Sequence, residues 1–181
     1  MRSWRAWLLI LILVVVSWFG WRYTQSLRNQ IARQHEHFVE EFQNGIRGAY
    51  TEASKAQRSL TNGSTAAAKE NLQFVNYYLT MMWTGANGMS VRVDATLVPI
   101  TVVVCYQMEV TNLRGELITG SSDSEIQQGL DNLVHDLKLL SELFGDYEHE
   151  QWLKTATADD FSAKFQIWRE KAVIKCRREA Q

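Results

Sequence analysis

The sequence contains little of what marks disorder and carries no surplus of positive charge. One proline, Pro99, and ten glycines occur in 181 residues, whereas long disordered linkers are rich in both. Three of the 19 Lys and Arg residues (Arg2, Arg5 and Arg22) flank an N-terminal apolar run, so 16 remain against 20 Asp and Glu. General nucleic-acid binders carry a basic excess or stripe. We therefore expect a folded chain that does not bind nucleic acid.

Motifs that signal catalysis are also missing. The chain has no G-x-S-x-G, P-loop, G-x-G-x-x-G or H-E-x-x-H pattern. His35 and His37 look like a metal pair, but residues two apart on a helix do not share a face. The segment Tyr147–Glu150, which contains His149, is predicted to be a charged loop. We therefore expect no enzymatic activity, no metal site and no cofactor.

Cysteine is scarce, with only Cys105 and Cys176 present, and neither belongs to a C-x-x-C motif. This spacing excludes a zinc ribbon or a thioredoxin-type site. In an oxidising compartment the two cysteines can form a disulfide, provided that the last helix lies on the side of the domain that carries Cys105. In the cytoplasm they would be two buried thiols, so the sequence leaves both states open.

The one long apolar run lies in the N-terminal stretch RSWRAWLLILILVVVSWFGWRY. Residues 6–21 give 16 uncharged positions, fewer than the roughly 20 that a spanning helix needs. Indole rings favour the membrane interface and arginine stems can reach it from within, so the flanking residues lengthen the span. The predicted interface residues are Trp4, Arg5, Trp7, Trp18, Trp21 and Arg22. Together they predict an anchor helix that contacts the bilayer.

A cleaved signal peptide and a soluble core helix are the alternatives for this run. Signal peptides end in small residues, whereas Trp18, Phe19 and Trp21 end this one. A core helix keeps a polar face, which the run lacks. Arginines lie on both sides of the run, so the positive-inside rule indicates the orientation only weakly. The N-terminal tail is very short, however, and a long domain can cross the membrane despite some charge. We expect residues 1–5 in the cytoplasm and the domain outside, which in a bacterium means an inner-membrane anchor and a periplasmic domain.

After the anchor, we expect a long membrane-proximal helix at 22–60 and a compact domain at 61–181. Apolar residues recur along this helix every three or four positions, which is typical of a face that packs on another helix. That partner is either a helix of the same chain or a second copy, which would make a homo-oligomer. Gly45 and Gly48 indicate a close helix approach or a kink. The residues of this predicted seam are Leu27, Ile31, Phe38, Phe42 and Ile46.

The compact domain is predicted to be α+β. Apolar and polar residues alternate at 91–97 and 100–110, and a period of two is typical of half-buried strands. A turn at 112–115 would lead to a short third strand at 116–119. Helices are expected at 65–83, ended by Gly85, at 123–144, and at 158–178. The expected fold is a small antiparallel sheet of about three strands covered by helices.

Two functions fit these features. The first is a single-pass membrane protein whose extracytoplasmic domain binds other membrane or periplasmic proteins. It would be a structural or assembly component of an envelope complex of the secretion, conjugation or pilus type. The second is an extracytoplasmic sensor or accessory module that binds a ligand or stabilises a neighbouring membrane regulator. The anchor and the missing catalytic motifs favour the first.

Overall fold

The computed structural model describes residues 3–93, 97–120, 123–146 and 148–176, which form helices joined by short connections. Contacts within the chain divide it into two units, Met1–Glu36 and His37–Gln181. The elements in chain order are α1 Ser3–Thr61, α2 Thr65–Val93, α3 Ile100–Thr119, α4 Asp123–Leu140, a π-helical turn Ser141–Gly145, α5 Glu148–Thr155 and α6 Ala158–Lys171.

The expected α+β fold is wrong, because the structure is all-helical and its described residues contain no strand. The first predicted strand begins within the end of α2, and its residues 94–96 lie outside the described residues. The second and third predicted strands both belong to α3. The predicted turn at 112–115 is helix interior.

The α3 segment imitates a strand because it opens with β-branched residues. The run Ile100–Val104 alternates as well as a strand does, and β-branched residues are only moderate helix formers. Burial reveals the helical period, since most of the buried positions are three or four residues apart; they are Val102, Val103, Tyr106, Val110, Leu113 and Leu117. The helix starts directly after Pro99 and ends at Gly120, whose left-handed backbone (φ 73°) makes the C-cap.

Helices α1 and α2 pack at very short distance, and two glycines make this possible. A Cβ atom on Gly45 would lie 2.3 Å from the backbone nitrogen of Met82. One on Gly85 would lie 2.3 Å from the backbone nitrogen of Phe42. Real Cβ atoms essentially never approach other atoms within 3.0 Å. Any side chain at either position would therefore push the two helices apart.

A second pair of glycines lies three residues further along each helix. A Cβ on Gly48 would meet the ring of Tyr78, and one on Gly88 would meet the ring of Phe38, each at 2.2 Å. Of the two interpretations of Gly45 and Gly48, the close approach is the one observed. The predicted helix stop at Gly85 is wrong, because this glycine is needed for packing and α2 continues to Val93.

The C-terminal elements differ from expectation mainly at their ends. The segment predicted as a charged loop is largely helix α5, with Tyr147 outside the described residues. The predicted start of α6 is confirmed, because Thr157 and Asp160 form a reciprocal capping box. The Thr157 hydroxyl and N–H lower the pKa of Asp160 by hydrogen bonding to its carboxylate. Helix α6 ends at Lys171 rather than at 178.

Alanine at position 45 tests the close packing of α1 and α2. The added methyl group would enter the Met82 backbone, so we expect Gly45→Ala to lower the free energy of unfolding by about 2 kcal/mol. Gly115 is the matched control, since it is also helical but a Cβ there meets nothing within 4 Å. Gly115→Ala should leave stability unchanged or raise it by up to about 1 kcal/mol. The free energies of unfolding of the two variants are measured by urea unfolding in detergent, followed by circular dichroism. Equal changes in the two variants would contradict the close packing of α1 and α2.

Candidate functional site

The core of the second unit contains a fully buried carboxylate, Asp136 of α4. This residue follows the buried Leu133 by three positions and directly precedes the buried Leu137. The apolar face of α4 therefore carries Asp136 into the interior. Burying a charged group is costly unless hydrogen bonds replace its water, so the donors around this carboxylate are part of the core.

Three donors from two other parts of the chain meet the Asp136 carboxylate. The hydroxyl of Tyr106, in α3, donates to Oδ2 at 2.7 Å. The backbone N–H groups of Val173 and Ile174, which follow α6, donate to Oδ1 and Oδ2 at 2.7 and 2.9 Å. The main-chain carbonyl of Asp136 in turn accepts a hydrogen bond from Trp168 Nε1 at 2.9 Å. One residue thus joins α3, α4, α6 and the segment after α6.

Burial and nearby charges shift the pKa values of groups around Asp136. Burial, and next the charge of Asp136, raise the pKa of Tyr106 well above its usual value, so the phenol remains a hydrogen-bond donor. Nδ1 of His135, whose side chain is half exposed, lies 3.1 Å from Asp136 Oδ1. One turn along α3, burial and the nearby Glu116 raise the pKa of the half-buried Glu109.

Residues 172–176, here called the strap, are also tied to α3 by a disulfide. The sulfur atoms of Cys105 and Cys176 lie 2.05 Å apart and their Cα atoms 5.7 Å apart. The pairing that the sequence left open is therefore present. Its setting differs from the expected one, since Cys105 lies on a helix and Cys176 lies beyond the last helix. Because Cys105 adjoins Tyr106 and Cys176 follows Ile174 by two residues, the disulfide and Asp136 hold the same strap.

A row of aromatic rings leads from this cluster to α1. Successive ring centroids lie 4.9 to 6.2 Å apart, the range in which aromatic pairs attract one another. In order, the rings belong to Phe42, Phe144, Phe161, Phe165, Trp168 and Tyr106. The row packs the second half of α1, the π-helical turn and α6 against one another.

The cavity beside Tyr106 and Trp168 is small. It lies among α2, α3, α4 and α6 and has a volume of about 10 Å³, which is about the size of one water molecule. Its other lining residues are apolar. This cavity is therefore a packing defect and has no room for a ligand.

Side chains from other helices donate hydrogen bonds to carbonyl groups at the π-helical turn. The buried Gln43 of α1 donates from Nε2 to the carbonyl oxygens of Phe144 and Asp146 at 2.9 and 3.1 Å. Lys164 Nζ lies 3.9 Å from the ring centroid of Trp152 and approaches the carbonyl oxygen of Leu143 at 3.5 Å. Burial lowers the pKa of Lys164. A π-helical turn interrupts the regular hydrogen bonding of an α-helix. These side-chain contacts provide hydrogen-bond donors for carbonyl groups at the turn.

The parts of α2 and α3 between Glu70 and Glu109 carry exposed apolar side chains and very little charge. Arg92 and Asp94 are the only charged residues between Glu70 and Glu109 in the sequence. Gln107 Nε2 donates to the Thr80 hydroxyl at 3.0 Å, which sets the two helices side by side. The exposed apolar residues of these two helices are Phe74, Tyr77, Ile100, Val104, Met108 and Ile118. We call the part nearest the Thr80–Gln107 contact, formed by Tyr77, Val104 and Met108, the α2–α3 face.

The N-terminal half of α1 has the composition expected of the anchor. It belongs to the one stretch of the described residues that is long and apolar enough to cross a membrane. The predicted interface tryptophans Trp4, Trp7, Trp18 and Trp21 are all exposed. The guanidinium of Arg22 lies 5.2 Å from the ring centroid of Trp18. The side chain of Arg5 lies outside the described residues.

The predicted seam separates into two parts. Phe42 and Ile46 are fully buried in the core of the second unit, and Phe38 packs against that core. Leu27 and Ile31, in the first unit, are 45% and 51% exposed. The C-terminal part of the seam therefore packs within its own chain, whereas the N-terminal part is exposed.

Among the described residues, no cluster of three metal-binding side chains occurs. His37 lies 3.6 Å from Glu41 on the surface of α1, whereas His35 is buried.

Comparison of the chain with protein-family models, with curated proteins and with solved structures gives no match. The candidate functional features are therefore the anchor, the α2–α3 face and the strap held by Asp136 and the disulfide.

Sequence reasoning missed Asp136 and its donors, although a signal was present. The stripe Leu130, Leu133, Leu137, Leu140 is the most regular in the chain. An acidic residue directly beside such a stripe is rarely buried unless it is paired. The donors lie 30 residues before Asp136 and 37 and 38 residues after it, so no local pattern connects them.

Removing the Tyr106 hydroxyl tests the role of the buried carboxylate. Tyr106→Phe keeps the ring contact with Trp168 but deletes a hydrogen bond to a charged group, so we expect a loss of about 2 kcal/mol in the free energy of unfolding. Tyr77→Phe is the matched control at an exposed position and should change stability by less than about 0.5 kcal/mol. Denaturant unfolding of both variants supplies the comparison, and a harmless Tyr106→Phe would refute this role.

Proposed function

We propose that this chain is a single-pass membrane protein whose extracytoplasmic helical domain binds another envelope protein through the α2–α3 face. It would serve as a structural or assembly component of an envelope complex. The observation that carries this proposal is the exposed, uncharged α2–α3 face in a domain that is otherwise well packed. Tyr77 and Met108 are 61% and 60% exposed.

The composition of this face favours a protein partner. Tyrosine and methionine are enriched in protein interfaces, whose centres are depleted of charged residues. The sequence between Glu70 and Glu109 follows the same rule over two helices. A partner with an apolar helical surface could bury Tyr77 and Met108 without leaving a charge desolvated.

The cysteine pair supports an extracytoplasmic location. Disulfides persist in oxidising compartments and are rare in the cytoplasm, and the described part of the chain has no free cysteine. Combined with an N-terminal anchor, this supports an orientation with residues 1–5 in the cytoplasm and the domain in the periplasm of a bacterial cell. The alternative, a ligand sensor, gains no support from the core cavity, whose volume is about 10 Å³.

Charge introduced on the α2–α3 face should remove the partner. We expect Tyr77→Glu combined with Met108→Glu to lower partner recovery at least tenfold after cross-linking in native membranes, because a buried unpaired carboxylate is costly. Gln128→Glu, on the exposed side of α4, is the control and should leave recovery unchanged. All variants should keep the wild-type melting temperature within a few degrees. Unchanged recovery in a folded double variant would contradict this function.

Reporter fusions after Gln181 test the orientation independently of any partner. A reporter that is active only outside the cytoplasm should be active, and one that is active only in the cytoplasm should be silent. The opposite pattern would place the domain in the cytoplasm. It would then remove the envelope partner from the proposal.

We also propose that the exposed part of the seam contacts a second copy of the chain. Leu27 and Ile31 extend toward the N-terminus in a heptad spacing, with positions alternately three and four residues apart. The full row is Ile10, Leu13, Ser17, Gly20, Thr24, Leu27 and Ile31. A Cβ on Gly20 would meet nothing within 4 Å in its own chain. Trp18 and Arg22 project from the opposite side of the helix, as suits contact with lipid. Parallel copies in one membrane share this register, and small residues let membrane helices approach closely.

Single cysteines test this second contact. Leu27→Cys should form a cross-linked dimer in native membranes, because position 27 belongs to the heptad. Asn29→Cys, two residues away and on the opposite side of the helix, should not. Equal cross-linking at both positions, or none at position 27, would contradict the seam.

A further inference from the structure

We propose that the Cys105–Cys176 disulfide is formed in a site that the folded chain has already built, with Asp136 as its positioning residue. The cysteine pair would then be a late substrate for thiol–disulfide exchange rather than a bond that directs folding. The proposal concerns the chemistry of the chain itself. It does not rest on the proposed partner or on the seam.

The strap is held by contacts that do not involve sulfur. The Ala172 N–H donates to the Trp168 carbonyl at 2.8 Å, and Ala172 is buried. The next two N–H groups, of Val173 and Ile174, donate to the Asp136 carboxylate at 2.7 and 2.9 Å. Three consecutive backbone donors are therefore bound before the chain reaches Cys176.

The same carboxylate also fixes the position of the other cysteine. Tyr106 donates to Asp136 Oδ2 at 2.7 Å, and Cys105 is its neighbour on α3. Cys176 is two residues beyond Ile174, a distance of at most about 7 Å along an extended chain. The two cysteine Cα atoms lie 5.7 Å apart, which is within the usual range for a disulfide. The hydrogen bonds to Asp136 are therefore expected to keep the two thiols adjacent before they are joined.

Oxidation then proceeds by two exchange steps with an oxidant that itself carries a disulfide. One cysteine thiolate attacks a sulfur of the oxidant, which forms a mixed disulfide and releases one thiolate of the oxidant. The second cysteine thiolate attacks the cysteine sulfur of the mixed disulfide and releases the other. Two electrons and two protons pass from the cysteine pair to the oxidant, which leaves as a dithiol or as two thiols. Asp136 acts on the second step, because it sets how often Cys176 lies against Cys105.

Val173 offers a variant that removes one strap contact from outside the core. Its side chain is exposed, and proline at this position has no N–H to donate to Asp136. The preceding Ala172 has φ −60° and ψ 137°, a conformation that a following proline accepts. Val173→Ala is the matched control, since it trims the side chain but retains the N–H.

The test uses the purified full-length chain in detergent, reduced under native conditions and then mixed with oxidised glutathione. Samples are alkylated at intervals, and gel mobility separates dithiol, mixed-disulfide and disulfide forms. In the wild-type chain and in Val173→Ala, we expect the second exchange step, which closes the disulfide, to be faster than the first. The mixed disulfide should therefore stay below about a tenth of the chain. In Val173→Pro, closure should slow by about tenfold, the effect of one hydrogen bond to a charged group, and the mixed disulfide should accumulate.

Two results would overturn the proposal. The first is equal closure in Val173→Pro and Val173→Ala. The second comes from the wild-type chain alone and does not depend on how any variant folds. If the reduced wild-type chain lost its helical circular dichroism, or accumulated the mixed disulfide, the site would not exist before the bond.

Discussion

The buried carboxylate of Asp136 is the constraint on which the arrangement of the C-terminal half depends. A charge without access to water must be met by donors, and here the donors come from α3 and from the strap. They can reach Asp136 only if α3, α4 and the end of α6 hold one relative position. The disulfide reinforces this same position from the other end of the strap. The hydrogen bonds to Asp136 and the disulfide therefore hold the same segment in the same position.

In the N-terminal half of the domain, the close packing of α1 and α2 at glycine positions is the comparable constraint. Gly45 and Gly85 bring the backbones of α1 and α2 together, which commits the second half of α1 to the core. The first half of the same helix is exposed and apolar. One helix thus supplies both the candidate anchor and a core element.

The sequence predicted those features that depend on local pattern. The apolar N-terminal run, the start of α6 and the stripe of α4 all follow from residues within a few positions of one another. The strands were wrong because Ile100–Val104 satisfies a period of two as well as a helical one, and only burial in the bundle distinguishes them. The local sequence predicts a helix stop at Gly85 because its packing partner, Phe42, is 43 residues away. No local pattern indicates the role of Asp136, because its donors lie 30 to 38 residues away in sequence.

An N-terminal anchor is proposed to display this domain in an oxidising compartment, where Asp136 and the disulfide hold the strap. The redox state of the two cysteines in intact cells tests it most directly. Cells that express the full chain are treated with a maleimide reagent, with and without prior reduction, and the shift in gel mobility is read after denaturation. We expect no labelling of Cys105 or Cys176 until a reductant is added, and labelling of both afterwards. Two thiols that are labelled without reductant in the membrane-bound, folded chain would contradict it.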